Sequence, residues 1–115
     1  MKRKKKAELL IRVDNAAFRK EVLEADIPVL VDFTAPWCSS SEEVEAAMKE
    51  LAQEFAGLIK IAQIDIDKNV DVASQLGVHA LPALLLFYRG RELGRAKVAN
   101  KAMLCLLYTS PSPRD

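Results

Sequence analysis

The sequence predicts an α/β protein with a mixed central sheet flanked by helices, in the order βαβαβαββα, its last helix truncated. Three observations carry this reading. Val29-Leu30-Val31-Asp32-Phe33 is an almost continuous apolar run, the pattern of a strand buried on both faces. Residues 39–55 carry apolar side chains at spacings of three and four, the pattern of an amphipathic helix. Two strand-like runs flank Arg89-Gly90, a hairpin signal. The βαβ order implies parallel strands and the hairpin an antiparallel pair, so the sheet is mixed.

Each element has a local cause. Residues 9–13 are a short apolar run interrupted by Arg12, an edge strand. Asp14 caps a helix over 15–24 that buries Phe18, Val22 and Leu23. Pro28 opens the second strand, and Thr34-Ala35-Pro36-Trp37 is the loop leaving it. The long helix turns Val44, Met48, Leu51, Ala52 and Phe55 to one side. Ser39 with Glu42, or Ser40 with Glu43, supplies a capping box at its start, and Gly57 ends it. Residues 58–66 alternate as a strand, with Asp65 and Asp67 as its polar side. Residues 67–77 form a short helix closed by Gly77, residues 83–88 and 92–98 the hairpin strands, and Asn100 starts a last helix.

The 115 residues suffice for one domain with one core. Half are apolar and 29% charged, with a net charge of +1, so the composition gives no general pull toward nucleic acid or membrane. Lys2, Arg3, Lys4, Lys5 and Lys6 make a basic block without interleaved aromatics, read as a disordered, solubilising start over residues 1–8. No apolar run reaches the roughly 20 residues of a membrane span, and no secretory leader follows the basic start. A cytoplasmic location is expected. Residues 105–115, Cys105-Leu-Leu-Tyr-Thr-Ser-Pro-Ser-Pro-Arg-Asp115, resemble a translated sequencing-library adapter. On that reading the domain spans 9–104, residues 105–115 are a non-native tail disordered from Thr109, and Cys105 has no role and does not pair with Cys38.

Cys38 falls between a buried strand and a helix start, where a sheet's carboxyl end and a helix dipole favour a thiolate. Taken alone, the residue equally fits an inert, buried thiol. Asp32 is anomalous inside an apolar run, because a buried carboxylate either raises its pKa or requires a partner. It reads as a proton-handling group or as a satisfied structural acid. The only histidine, His79, sits just before Pro82 and reads as solvent-facing, with assistance to proton transfer near Cys38 as the alternative. One cysteine and one histidine make no metal cluster, and no cofactor is expected.

Residues 29–38, Val-Leu-Val-Asp-Phe-Thr-Ala-Pro-Trp-Cys, resemble the active-site approach of the thioredoxin family. Ile64-Asp-Ile-Asp67, Leu76-Gly-Val and the segment from His79 through Pro82 to Phe87 extend the resemblance over residues 9–104. It implies the thioredoxin fold, with Cys38 as attacking cysteine, Asp32 as the buried acid behind it and Pro82 as the cis-proline beside the site. Trp37, Leu81 and Pro82 would contact substrate. The departures are specific. Ser41 stands at the resolving cysteine, Ser39-Ser40 replace Gly-Pro, and Thr34 replaces an aromatic. Gln63 stands where many members have a lysine, Ala46 replaces a helix-kinking proline, and Val98 falls at a glycine position.

A dithiol enzyme releases its mixed disulfide with the second thiol, and the Ser41 hydroxyl forms no S–S bond. Ser41 can still donate a hydrogen bond to a Cys38 thiolate. The sequence therefore predicts a monothiol oxidoreductase or isomerase that forms mixed disulfides with disulfide-containing proteins and is resolved by glutathione or another external thiol. The alternative is a non-catalytic binding or chaperone module that holds extended polypeptides by backbone pairing.

Overall fold

The computed structural model describes residues 10–39 and 41–97. Strand β2 (Val29–Thr34) lies at the centre of a five-stranded sheet, buried over its first five residues as its apolar run requires. Numbered in chain order, the other strands are β1 (Leu10–Val13), β3 (Lys60–Asp65), β4 (Ala83–Tyr88) and β5 (Arg91–Ala96). The spatial order is β1-β3-β2-β4-β5. The β1–β3 and β2–β3 pairs are parallel, whereas β2–β4 and β4–β5 are antiparallel, giving the mixed sheet that the sequence predicts. Arg89 (φ 53°) and Gly90 (φ 83°) both adopt positive φ between β4 and β5. This is the signature of the tight turn that matches strand twist.

Helix α1 (Asn15–Phe18) is capped by Asp14, whose Oδ1 accepts the Ala17 N–H at 2.8 Å. The expected single helix over 15–24 instead continues as a π-helical turn, Arg19–Leu23. Lys60 Nζ donates to the Glu21 carbonyl at 2.9 Å, occupying an acceptor that a regular helix would have used. Helix α2 (Ser41–Glu54) starts two residues later than the helix read from Ser39. The Cys38 N–H donates to the Ala35 carbonyl at 3.0 Å, so residues 35–38 close a turn with Pro36 at its second position. Helix α3 (Val70–Gln75) is likewise shorter than the predicted 67–77. The Asp67 N–H binds Asp65 Oδ1, and Asn69 Nδ2 binds the Asp65 carbonyl, both at 2.9 Å. These bonds end β3 at Asp65 and place Asp67 in a turn rather than on a strand.

The alternation of each strand divides its side chains between two layers. Val29, Val31, Phe33, Ala62, Ile64, Leu85 and Phe87 pack with Phe18 and Val22 of the first helical segment and Val72 and Ala73 of α3. Leu30, Ile61, Leu84 and Leu86 pack on the opposite face against Val44, Met48, Leu51 and Ala52 of α2. The basic start over 1–8, Val98, the last helix from Asn100 and the 105–115 tail lie outside the described residues.

Candidate functional site

The parallel strand β2 delivers its carboxyl end directly into the Ala35–Cys38 turn. Cys38 is 9% exposed. It precedes α2 by three residues, because the Pro36 turn holds it outside the helix itself. Beside it, Trp37 is 63% exposed and its indole Nε1–H donates to Asp67 Oδ1 at 3.0 Å. Asp67 is itself oriented by its turn with Asp65. The sequence reading missed this function of Asp67, since 30 positions separate it from Trp37.

Strand register brings the Leu81-Pro82 segment to the same end of the sheet. Phe33 pairs with Ala83, so Pro82 enters β4 alongside the point where β2 ends. The Leu81–Pro82 peptide is cis, and both residues are partly buried. A cleft of about 290 Å³ opens beside Pro82, lined by Val78, His79, Arg95 and Lys97 among others. His79 is exposed, as its position in the sequence suggested.

Asp32 lies two residues inside this end of β2 and is 1% exposed. Burial pushes its carboxyl up to about 6, with a smaller push from the negative charge of Glu45. Opposing both, Gln63 Nε2 donates to Asp32 Oδ2 at 3.1 Å. Gln63, at 6% exposure, accepts in turn from Arg12 Nε at 3.0 Å through its Oε1. Arg12 Nη2 reaches Glu45 Oε2 of α2 at 3.3 Å, and Lys49 Nζ lies 3.4 Å from the same oxygen. The registers Arg12–Gln63 and Gln63–Asp32 make these three residues one row across β1, β3 and β2. Arg12 and Glu45 were not singled out from the sequence. The only signal was an arginine inside an apolar strand.

The sheet thus brings together the Cys38 turn, Trp37, the Leu81-Pro82 segment and the Asp32-bearing end of β2. Ser41 is the first residue of α2, and its side chain lies outside the described structure. A group near its pKa of about 6 can take or release a proton near neutral pH, and a thiol at a strand end beside an exposed aromatic can meet an incoming sulfur.

Comparison with known proteins agrees with this geometry. The family model described as Thioredoxin matches residues 9–106. Thioredoxin 1 of Nostoc sp. (strain PCC 7120) is 42% identical over 82 residues, covering 71% of this chain and 77% of the relative. The thioredoxin of Synechocystis sp. (strain PCC 6803) is 37% identical over the same shares. The thioredoxin of Pseudomonas aeruginosa is 37% identical over 99 residues, covering 85% of this chain and 92% of the relative. With a five-stranded mixed sheet, helices on both faces and a cysteine turn after the central strand, the chain belongs to the thioredoxin family.

Proposed function

We propose that this protein is a monothiol thiol-disulfide oxidoreductase whose nucleophile is Cys38. The observation that carries the reading is the placement of the Cys38 turn, after a strand bearing a buried acid and beside the Leu81-Pro82 segment. The Cys38 thiolate attacks one sulfur of a protein disulfide. A new S–S bond forms between them, and the other substrate sulfur leaves as a thiolate that takes a proton. Asp32 exchanges that proton behind the site. Residue 41 is serine, so an external thiol such as glutathione attacks the mixed disulfide and returns Cys38. A second external thiol completes the two-electron reduction and leaves as the oxidised dimer. Ser41 stabilises the thiolate as a hydrogen-bond donor, and Trp37, Leu81 and Pro82 hold the substrate chain. The reducing cytoplasm supplies the external thiol and fits a protein without a resolving cysteine.

A second reading rests on the exposure of Trp37 against the burial of Cys38. An exposed aromatic next to an occluded thiol suits a module that holds extended chains without exchanging sulfur. Trapping of a mixed disulfide between Cys38 and a disulfide-containing protein, in a Cys105→Ser background, separates the two. A mixed disulfide that glutathione resolves with release of reduced substrate is expected for the oxidoreductase. Failure to form one overturns it in favour of the binding module.

A further inference from the structure

The polar row beneath α2 gives Arg12 a function at a distance. Gln63 has one oxygen and one NH2 group, and its amide can present either to Asp32. Arginine carries donors only, so the 3.0 Å bond from Arg12 Nε requires Gln63 Oε1 to face Arg12. The NH2 group is thereby turned toward Asp32, at 3.1 Å. An amide held this way donates to a carboxylate and favours its charged form. Were the amide reversed, its oxygen would repel the carboxylate and accept from the protonated acid.

The groups facing Asp32 come from each neighbouring element. On β1 there is Arg12, on β3 the uncharged Gln63, and on α2 Glu45 with Lys49. Across the other side, β4 presents Leu84 in register with Asp32, which is apolar. Lys60, although on β3, turns to the opposite layer and binds Glu21. The only cation joined to Asp32 through hydrogen bonds is therefore Arg12, among the described residues. Its side chain is 70% exposed, so a residue at the sheet edge reaches a buried acid through a single amide.

We propose that Arg12 is a positioning residue for Asp32: it locks the Gln63 amide so that the buried acid always meets a donor, and its ion pair with Glu45 shields that acid from the helix charge. The consequence for Cys38 rests on the oxidoreductase reading above, whereas the consequence for Asp32 does not. Removing Arg12 releases the amide and leaves Glu45 with Lys49 as its remaining cation here. Both changes make the charged acid less favourable. Removing the Glu45 charge while keeping Arg12 acts in the other direction.

The test is a carboxyl carbon-13 NMR titration of Asp32 in the full chain, with Asp32→Asn identifying the resonance. Arg12→Met is expected to raise the Asp32 midpoint by about half a unit to one unit, and Gln63→Leu to raise it at least as far. Arg12→Lys, which keeps a donor-only cation, is expected to restore most of the shift. Glu45→Gln is expected to lower the midpoint. An unchanged midpoint in Arg12→Met, or shifts of the same sign in Arg12→Met and Glu45→Gln, overturns the proposal, because a merely structural role would move the melting temperature without opposite movements of the acid. Alkylation of Cys38 in the same variants separates this idea from the catalytic one. If Asp32 shifts while the Cys38 profile stays fixed, Arg12 positions the acid and the proton exchange between Asp32 and Cys38 is overturned.

Discussion

The two faces of the sheet are built from the same strands and differ in what they permit. Beneath α1 and α3 the layer is apolar from Val13 to Phe87, with Phe18 and Phe87 meeting edge to face at 5.8 Å between ring centroids. Beneath α2 the layer is equally dry at Leu30, Ile61 and Leu86, but one row later it carries Arg12, Gln63 and Asp32. The first face packs apolar side chains against both helical segments. The second gives up some stability at its carboxyl end, where it buries a carboxyl whose pKa is raised to about 6. Two registers, parallel β1–β3 and parallel β3–β2, suffice to put polar atoms in contact across an otherwise hydrophobic layer.

The largest effect that sharpens this contrast is on the dry face. Phe87→Ala removes a ring that is 2% exposed and packed on Phe18, and is expected to cost about 3–5 kcal/mol. That is a large share of a typical domain's stability of roughly 5–15 kcal/mol. Urea unfolding measures it, and the Asp32 titration in the surviving fold is expected to be unchanged. A shift of the Asp32 midpoint in Phe87→Ala would show that the two faces are not independent.

The second effect belongs to the polar row and has the opposite sign. The folded-state pKa of Asp32, about 6, lies above its ordinary value of 3.8, so the folded protein keeps this proton through a window in which the unfolded chain has released it. Stability is therefore lost as pH rises through that window, and the deficit is constant above about 6. Asp32→Asn removes the ionisation while retaining an oxygen for the Gln63 amide. It is expected to stabilise the fold by about 2–3 kcal/mol at pH 8 and to give little or no gain near pH 4. Chemical denaturation at the two pH values decides the point. An equal difference at both would mean that the Asp32 carboxyl has the same pKa in the folded and the unfolded chain.

What was legible in the sequence follows the range of the interactions. Strand β2, helix α2 and the β4–β5 hairpin depend on periodicity and turn chemistry within a few residues, and all three lie within two residues of where the pattern placed them. Asp32 stood out because a charge in an apolar run has a local cost. The start of α2 was misplaced by two residues because the Pro36 turn competes with the helix for Cys38. The rest was illegible for a physical reason: Arg12 meets Gln63 across 51 positions and Gln63 meets Asp32 across 31, and only the register of the folded sheet brings them together. The site itself was found through the combination of Trp37, Cys38 and Pro82, a family resemblance rather than a derivation from spacing.

The smallest effect tests whether a polar contact on the first face behaves like the row on the second. Lys60 Nζ donates to the Glu21 carboxylate at 2.7 Å and to its carbonyl at 2.9 Å, at the rim of the α1 layer. The lysine holds the Glu21 carboxyl below its ordinary value of 4.5, mainly through that hydrogen bond. With the folded pKa depressed, the ion pair stabilises above the unfolded value and is lost as pH falls below it. Both side chains are partly solvated, so Lys60→Met is expected to cost only about 0.5–1 kcal/mol at pH 7. The cost should shrink below pH 4 without vanishing, because the bond to the carbonyl does not titrate. Thermal melts of the two proteins at pH 7 and pH 3.5 measure this. A cost that stays constant with pH would assign the whole effect of Lys60 to the π-helical backbone. A cost that disappears would assign it to charge alone, so the remainder at low pH measures how firmly Lys60 holds the turn.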